Sequence, residues 1–262
     1  MLTPASDGCR IAHQFDGPQG APVLVLSHSL GSSMEMWRPQ VARLAERLRL
    51  LRFDTRGHGS SDVPPGEYTL ERLARDVLDL LDAHGIARAH FCGLSLGGMI
   101  GQWLGANAPD RIDRLLLANT SRFMGPPSNW ENRIALVRRD GVAALADTLL
   151  DRWFTPPFRR DHADDVQAIR TTLLATSPDG YCGCCAAIRD MDLRPSADRI
   201  TAPTLLITGS EDLSTPPSEA KALAGAIPAH PRIVTLAAAH LSNVEQAGAF
   251  SDAVVAFLEE RR

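Results

Sequence analysis

The sequence predicts an α/β fold in which a mostly parallel β-sheet carries helices on both faces and a helical cap is inserted between two strands. Short apolar runs alternate with helical patterns through most of the chain, and such alternation is typical of parallel sheets with helical crossovers. The alternation stops near residue 122 and resumes near residue 196. The chain has 262 residues, of which 44% are hydrophobic, and this is enough for one such domain with an insertion.

Six short apolar runs are predicted to be the strands of the sheet. In chain order they are residues 22–26, 50–53, 89–92, 112–118, 203–208 and 232–236. Between the second and third runs, residues 70–81 place apolar side chains at three- and four-residue steps, which predicts an amphipathic helix. A second helix is predicted after Ser95, over residues 99–104.

Residues 122–195 are predicted to form the helical cap. Their pattern is helical and rich in Arg and Asp, and Gly125-Pro126-Pro127 and Thr155-Pro156-Pro157 interrupt it at two points. An insertion of this kind divides the core of the fold into residues 1–121 and residues 196–262. We therefore expect one α/β core in two sequence segments, with the cap between them.

One serine stands in a sequence context that points to chemistry. Ser95 lies in Gly93-Leu94-Ser95-Leu96-Gly97-Gly98, between a predicted strand and a predicted helix. A serine flanked by glycines at such a junction is typical of the nucleophile elbow of serine hydrolases. The turn is so sharp that a Cβ at either flanking glycine would collide with a neighbouring strand or helix. The sequence therefore predicts that Ser95 is a nucleophile held in a strained backbone conformation.

A serine nucleophile needs a base and an acid that orients the base. Asp212 and His240 each follow one of the last two predicted strands. The carboxyl ends of parallel strands lie at one edge of a sheet, so we expect both side chains close together and close to Ser95. The order Ser, Asp, His is also the order in which hydrolases with this elbow carry the three residues. Glu211 is the alternative for the acid.

The chain resembles the α/β-hydrolase superfamily over nearly its full length. Within it, the sequence is similar to the 3-oxoadipate enol-lactonases of aromatic-compound degradation. The family often has Asn at the position of His28. The stretches that carry the closer similarity are Ser27-His28-Ser29-Leu30-Gly31, Met36-Trp37, Asn119-Thr120-Ser121, Trp130-Glu131-Asn132-Arg133, Ala187-Ile188-Arg189-Asp190-Met191-Asp192 and His240-Leu241-Ser242-Asn243-Val244-Glu245-Gln246.

The resemblance implies a serine hydrolase that opens 3-oxoadipate enol-lactone to 3-oxoadipate in the degradation of protocatechuate and catechol. Ser95, His240 and Asp212 would act through an acyl-enzyme. The substrate would be a small anionic lactone, and the reaction would need neither a metal nor an organic cofactor.

The resemblance also implies an oxyanion hole made of two backbone N–H groups. One belongs to Leu96, which follows the nucleophile. The family usually has a His-Gly pair in the loop after the first parallel strand, and here Ser29 replaces the Gly, which places the second donor at Leu30. We expect His28 to be hydrogen-bonded within this loop and His58 to order the Gly-rich loop of residues 54–61.

The cap is expected to select the substrate. Trp130 and Arg133 are three residues apart and therefore lie on one face of a helix. An aromatic wall beside a guanidinium suits a small, flat, anionic molecule. Trp153 and Arg189 are further candidates for substrate binding. Without the family resemblance, packing of Trp130 inside the cap and a surface ion pair of Arg133 would explain the same pattern.

Composition argues against several other classes of function. The net charge of −4 gives no reason to expect nucleic acid or an anionic membrane as a partner. The N-terminal residues lack the features of a signal peptide, and no apolar run approaches membrane-spanning length, so we expect a cytoplasmic protein. Five cysteines are an odd number, which favours reduced thiols, and the spacing of Cys182-Gly183-Cys184-Cys185 matches no zinc template.

Three alternative functions share the predicted residues. The same Ser, His and Asp serve carboxylesterases and other lactonases, and they also serve hydrolases that cleave C–C bonds in ring-fission products. A ligand sensor that keeps these residues but turns over slowly is the third alternative. Relative rates on an enol-lactone and on simple aryl esters separate the enzymes, and a burst without steady turnover would indicate the sensor. The sequence does not predict an oligomeric state.

Overall fold

A β-sheet forms the centre of the molecule. The structure is a computed structural model, and it describes residues 1–260. Within these residues, eight strands pair in the order β1-β2-β4-β3-β5-β6-β7-β8. They are β1 (Leu2–Pro4), β2 (Arg10–Asp16), β3 (Val23–Ser27), β4 (Arg49–Phe53), β5 (Ala89–Leu94), β6 (Ile112–Ala118), β7 (Thr204–Gly209) and β8 (Arg232–Leu236).

The sheet is mostly parallel, which confirms the predicted fold class. Strands β4, β3, β5, β6, β7 and β8 run parallel, while β2 pairs antiparallel with both β1 and β4 at one edge. Each of the six predicted strands is present within two residues of its predicted bounds. Strands β1 and β2 were not predicted, because β1 is short and exposed and β2 mixes buried with exposed residues instead of forming a continuous apolar run.

Both faces of the central sheet are covered. Strands β5 and β7 are buried at every residue, and successive side chains of a strand point to opposite faces. Helix α3 (Leu96–Asn107) packs on β5 and β6, and α9 (Pro217–Ala226) packs on β7 and β8. A strand buried on both faces needs apolar side chains at nearly every position, which explains the continuous apolar runs.

The remaining helices of the core are α1 (Arg38–Leu44), α2 (Leu70–Ala83), α10 (Ser242–Glu245) and α11 (Ala247–Glu259). The predicted helix at 70–81 corresponds to α2, which begins where the Thr69 hydroxyl accepts a hydrogen bond from the Arg72 N–H at 3.1 Å. It ends just before Gly85, whose φ of 64° suits a residue without Cβ. Among residues 1–260, none of the helices combines the length and apolar character needed to cross a bilayer.

Five helices follow one another between β6 and β7, inside the segment expected to be the cap. Pro127, Pro156 and Pro178 are the first residues of three of them, and proline suits this position because its missing N–H is not needed there. The Pro-Pro pairs noticed in the sequence are therefore helix starts. The division of the chain at residues 122 and 195 stays a prediction. The helices are α4 (Pro127–Asp140), α5 (Ala146–Trp153), α6 (Pro156–Asp161), α7 (Ala163–Ala175) and α8 (Pro178–Asp190).

Two glycines let α8 approach the core closely. Gly180 in α8 and Gly57 in the loop after β4 pack backbone against backbone. A Cβ added at Gly180 would lie 2.1 Å from the Gly57 carbonyl oxygen, and a Cβ added at Gly57 would lie 2.5 Å from the Gly180 Cα. Gly57 also has a φ of 80°, which disfavours other residues. The contact fixes how closely α8 approaches the loop of residues 54–61.

We expect Gly180→Ala to lower the free energy of unfolding by about 1–3 kcal/mol, the usual effect of overpacking. Gly225→Ala is the matched control, because Gly225 is also helical and a Cβ there has no neighbour within 4 Å. The control change should be neutral or stabilising by up to about 1 kcal/mol, because Ala favours helix over Gly. Chemical denaturation measures both variants, and equal stabilities would show that the Gly57–Gly180 contact is unimportant.

Candidate active site

Ser95 occupies the turn between β5 and α3, beyond the carboxyl end of the strand. Its backbone has a φ of 58° and a ψ of −115°, a conformation that residues other than glycine rarely adopt. The Ser95 N–H donates to the Ala118 carbonyl at 2.9 Å, and the Thr120 hydroxyl donates to the Ser95 carbonyl at 2.9 Å. Hydrogen bonds at both ends of the residue therefore hold it in a strained conformation.

The glycines on either side of Ser95 lie where neighbouring backbone comes closest. A Cβ at Gly93 would lie 2.1 Å from the Gly97 carbonyl oxygen. A Cβ at Gly97 would lie 2.1 Å from the carbonyl oxygen of Ser27 in β3. Both distances are far below van der Waals contact. The start of α3 can therefore lie against β3 and β5 only because both positions lack a side chain.

Asp212 and His240 form a buried pair on the loops after β7 and β8. His240 Nδ1 lies 2.8 Å from Asp212 Oδ2, and the two residues are only 3% and 2% exposed. Backbone N–H groups of Ser214 and Thr215 donate to Asp212 Oδ1 at 2.8 and 3.0 Å, and the Thr215 hydroxyl donates to Oδ2 at 2.7 Å. Glu211, the alternative acid, is exposed. The structure therefore pairs His240 with Asp212.

The surroundings of Asp212 keep its carboxyl ionised. Burial alone would raise its pKa, but the neighbouring His240 and hydrogen bonds from His240, Asn119 and Thr215 lower the pKa to about 2. An ionised Asp212 accepts the proton on His240 Nδ1 as a hydrogen bond, which leaves Nε2 unprotonated in the neutral ring. His240 and Ser95 line the same cavity.

Asn119 is a site residue whose role sequence reasoning missed. It follows β6 with a φ of 44°, and its Nδ2 donates to Asp212 Oδ2 at 2.9 Å. Its Oδ1 accepts a hydrogen bond from the Ser242 hydroxyl at 2.5 Å. Asn119 thus orients the acid from a third strand end. The sequence did contain one indication of this role: Asn119 directly follows a predicted strand and so lies at the same edge of the sheet as Asp212.

The two N–H groups expected to form an oxyanion hole are available. Within the described part of the chain, the N–H groups of Leu30 and Leu96 donate to no protein acceptor. Leu30 lines the cavity together with Ser95. The Gly97 N–H donates to the His28 carbonyl at 3.2 Å, which joins the start of α3 to the loop that carries Leu30. The two donors therefore lie on segments that are bonded to each other.

Two neutral histidines order the loops beneath the cavity. His58 Nε2 accepts a hydrogen bond from the Gly31 N–H at 2.9 Å, so His58 joins its own loop to the loop that carries Leu30. His28 Nδ1 lies 2.7 Å from the Ser29 carbonyl, and its Nε2 accepts a hydrogen bond from the Thr55 N–H at 2.9 Å. His28 therefore also bonds the neighbouring loop, beyond the single loop that was predicted. Burial lowers the pKa of His28 to about 4 and the pKa of His58 to about 3.

A cavity of about 320 Å³ lies where the core meets the cap. The core contributes Ser95 and His240 to its wall. The cap contributes a mixture of apolar, aromatic and basic side chains. Ser95 and His240 of the core therefore face the same cavity as the cap side chains. Cap residues in the wall include Trp130, Arg133, Leu149, Arg152, Trp153 and Tyr181.

Trp130 and Arg133 face the cavity together. The guanidinium carbon of Arg133 lies 4.7 Å from the centroid of the Trp130 ring, a cation–π contact. Trp130 Nε1 donates to the Met124 carbonyl at 2.7 Å, which leaves the ring itself as apolar wall. Trp153 is buried in the same wall. The alternative of a surface ion pair for Arg133 is wrong for the described residues, since Arg133 lines the cavity and pairs with none of their carboxylates.

Arg189 does not lie in the cavity, so its proposed contact with substrate is corrected. Its guanidinium forms ion pairs with Glu67 and Asp190, each at 3.0 Å or less. Helix geometry explains the difference, because Ile188 lines the cavity and the next residue of α8 points roughly 100° away. Arg152 of α5, which sequence analysis did not single out, lines the cavity instead.

Glu245 ties the cap to the loop that carries His240. Its carboxylate accepts hydrogen bonds from the Ala239 N–H at 3.0 Å and from the Thr155 N–H at 3.3 Å, and the Thr155 hydroxyl also donates to it. The residue after His240 donates its N–H to the Trp153 carbonyl at 3.0 Å. Both neighbours of His240 are therefore held. We call Trp153, Thr155 and Glu245 the cap latch.

The cysteines of the chain are buried free thiols. Burial raises the pKa of Cys182, Cys184 and Cys185, so these thiols are protonated and poorly reactive near neutral pH. Over residues 1–260, no group of three or more His, Cys, Asp and Glu side chains is arranged to hold a metal ion.

The chain is similar to known hydrolases over nearly its whole length. The sequence pattern of the α/β-hydrolase fold family matches residues 22–247. The 3-oxoadipate enol-lactonase 2 of Acinetobacter baylyi is 39% identical over 243 residues, which are 93% of this chain and 91% of that enzyme.

Two crystal structures share the fold closely. An enol-lactonase from Burkholderia xenovorans superposes with a TM-score of 0.97 and is 44% identical, with 99% of this chain and 100% of that chain covered. A hydrolase from Pseudomonas aeruginosa superposes with a TM-score of 0.96 and is 46% identical, with 99% and 98% covered. With coverage this complete, the similarity includes the cap helices as well as the core.

The neutral, buried histidines predict a stability that depends on pH. The pKa values of His28 and His58 in the folded protein, about 4 and about 3, lie below the ordinary value of 6.5. As the pH falls below 6.5, the unfolded chain binds protons that the folded protein does not, so the free energy of unfolding decreases. Between pH 7 and pH 5, we expect each of the two histidines to lower that free energy by about 2 kcal/mol. Chemical denaturation across this range measures the effect.

A comparison of two variants isolates the contribution of the His58 ring to the pH dependence of stability. His58→Gln removes a group that titrates, so its stability should fall less steeply between pH 7 and pH 5 than that of the unaltered protein. His230→Gln, a change at an exposed histidine, is measured alongside as the control for replacing His by Gln. Identical slopes in all three proteins would contradict a neutral, buried His58.

Proposed function

The chain belongs to the α/β-hydrolase family and is a carboxylic ester hydrolase, and we propose that it opens 3-oxoadipate enol-lactone to 3-oxoadipate through an acyl-enzyme. One arrangement supports this assignment above the others. Ser95 and His240, which is paired with the buried Asp212, share a cavity with a tryptophan and an arginine of the cap. The step belongs to the breakdown of protocatechuate and catechol.

Ser95 acts as the nucleophile in the first half of the reaction. Its hydroxyl proton passes to His240 as Ser95 Oγ attacks the lactone carbonyl carbon. Asp212 holds the imidazole in the correct tautomer through the 2.8 Å hydrogen bond and stabilises the imidazolium that forms. The N–H groups of Leu30 and Leu96 donate to the oxyanion of the tetrahedral intermediate.

The leaving group makes the ring opening effectively irreversible. The bond between the carbonyl carbon and the ring oxygen breaks, and protonated His240 gives its proton to that oxygen. The oxygen leaves as an enol that stays attached to the acyl chain. Because the enol then tautomerises to a ketone, it no longer attacks the acyl-enzyme. Water activated by His240 then attacks the acyl carbon and releases a dicarboxylate.

Trp130 and Arg133 recognise the substrate in this proposal. The flat lactone ring packs on the apolar wall formed by Trp130 and Trp153. Arg133 donates to the substrate carboxylate, since its guanidinium is held over the Trp130 ring without a carboxylate of its own among residues 1–260. Such charge-assisted hydrogen bonds from a planar guanidinium give both affinity and orientation.

Turnover of the enol-lactone, followed by loss of its ultraviolet absorbance, tests the proposal directly. A general esterase or another lactonase would prefer simple aryl esters or other lactones, and a C–C bond hydrolase would prefer ring-fission products. A sensor would give a burst without steady turnover. Faster turnover of aryl esters than of the enol-lactone would contradict the proposed substrate.

Changes to the three proposed catalytic residues should remove turnover and leave the protein folded. We expect Ser95→Ala to abolish hydrolysis, because alanine fits the elbow but has no nucleophile. His240→Ala should behave alike, since such residues act as a unit. Asp212→Asn should lower turnover by roughly 10⁴-fold, because it favours the wrong imidazole tautomer. Steady-state rates and circular dichroism measure activity and folding.

Glu211→Gln is the control for the acid, because Glu211 adjoins Asp212 in sequence but is exposed. Its turnover should stay close to that of the unaltered protein. A larger loss in Glu211→Gln than in Asp212→Asn would make Glu211 the acid. Steady turnover by folded Ser95→Ala would exclude Ser95 as the nucleophile.

Arg133→Ala should affect the hydrolysis of charged substrates more than that of neutral ones. If Arg133 binds the substrate carboxylate, the change should weaken enol-lactone hydrolysis by about 1.5–3 kcal/mol in kcat/KM, the range for hydrogen bonds to charged groups. Hydrolysis of a neutral aryl ester should barely change, and this ratio cancels general damage to the fold. Equal losses on both substrates would make Arg133 structural, and unchanged enol-lactone hydrolysis would exclude it as the carboxylate site.

A further inference from the structure

Two arginines in the cavity wall are paired with none of the carboxylates of residues 1–260. Arg133 and Arg152 line the cavity, and neither forms an ion pair within residues 1–260. A guanidinium without a carboxylate partner in a partly enclosed cavity is well placed to bind a ligand that brings the negative charge. By contrast, the cap arginines that pair with a carboxylate lie outside the cavity wall; they are Arg139, Arg159, Arg160, Arg170, Arg189 and Arg194.

The carboxylate that does line the cavity does not compensate these arginines. Glu219 accepts a hydrogen bond from the Ser121 hydroxyl at 2.6 Å and forms no ion pair with Arg133 or Arg152. Besides His240, the lining residues that the structure describes carry two guanidiniums and one carboxylate. The cavity wall therefore holds one more guanidinium than carboxylate before a ligand enters, and the ionised Asp212 lies behind the wall, where it is paired with His240.

The two guanidiniums are anchored to different parts of the site. Arg133 of α4 is held over the Trp130 ring. Arg152 of α5 donates from Nη2 to the Leu213 carbonyl at 2.7 Å. Leu213 follows Asp212, which orients His240, so Arg152 is fixed beside the acid loop. Its other N–H groups remain available to a ligand.

We propose that Arg152 is a second carboxylate subsite, which receives the carboxylate that hydrolysis creates, while Arg133 holds the carboxylate that the substrate brings. The inference rests on the proposed function, because cleavage of an anionic lactone converts a monoanion into a dianion. The ligand class of the two arginines together is a short linear dicarboxylate.

The chemistry of the second half-reaction explains why a new anion appears on the Arg152 side. Water loses a proton to His240 and bonds to the acyl carbon, and the bond from that carbon to Ser95 Oγ breaks. Ser95 takes the proton back from His240, and the released acid ionises by giving its own proton to solvent. The new carboxylate thus forms beside His240, and Arg152 is the guanidinium anchored on that side.

Competitive inhibition of aryl-ester hydrolysis tests this assignment. Adipate carries two carboxylates on a six-carbon chain, and hexanoate carries one on a chain of the same length. The inhibition constant of adipate should be about tenfold lower than that of hexanoate, since one more charge-assisted hydrogen-bonded contact forms. Arg152→Gln should raise the constant for adipate to near that of hexanoate and leave the constant for hexanoate unchanged.

Arg138→Gln is the matched control, because Arg138 is an exposed cap arginine outside the cavity wall. This variant should bind both inhibitors as the unaltered protein does. An adipate constant that does not change in Arg152→Gln, or equal rises for adipate and hexanoate, would overturn the subsite. If Arg152→Gln loses turnover because the Asp212 loop shifts, calorimetric titration of adipate and hexanoate into that variant gives the same comparison.

Failure of the Arg152 subsite can be distinguished from failure of the proposed function. The inhibition assay uses a neutral aryl ester and needs only a working Ser95 site. If the protein hydrolyses the aryl ester but not the enol-lactone, the proposed substrate is wrong, and the adipate comparison still decides the role of Arg152. If the protein hydrolyses the enol-lactone but Arg152→Gln does not change the inhibition constant of adipate, only the proposal of a second carboxylate subsite is wrong.

Discussion

The packing of backbone against backbone around Ser95 determines where the other parts of the site can lie. Gly97 allows the first turn of α3 to touch the end of β3, and Gly93 allows β5 to end directly beneath that turn. The Ser95 N–H is bonded to β6. Three strands and a helix therefore meet at one residue, and a shift in any of them would relax the strained backbone. The elbow thus acts as the reference point for the loops that carry the base, the acid and the oxyanion donors.

The acid below the cavity is satisfied by hydrogen bonds within the protein, whereas the arginines in the cavity wall are left for a ligand. Asp212 receives hydrogen bonds from Asn119, Ser214, Thr215 and His240. Groups that are already paired and buried cannot rearrange cheaply, so the base is oriented before a substrate arrives. The arginines of the wall are held in place by an aromatic ring or a carbonyl, which fixes their position without neutralising their charge.

The sequence predicts the core well because the physical signals there are local. Buried parallel strands need continuous apolar runs, and an elbow needs glycines on both sides of the serine, so both features are visible in short windows. Asn119 is different, because its role depends on a positive φ and on a loop far away in the chain. The wrong choice of Arg189 over Arg152 as a residue of the cavity wall has a similar cause. In a cap of several short helices, the face that each helix turns toward the cavity depends on packing between helices, which residue spacing does not reveal.

The cap latch separates the cap into two parts with different freedom to change. The corner between α5 and α6 is bonded to the backbone on both sides of His240 through Trp153, Thr155 and Glu245, so substitutions there disturb the base along with the pocket. Helix α4 carries Trp130 and Arg133 but takes no part in the latch. Substitutions on the cavity face of α4 can therefore change the substrate range, in nature or by design, without breaking the bonds to the His240 loop, while transplanting a whole foreign cap would require the recipient loop around His240 to be rebuilt with it.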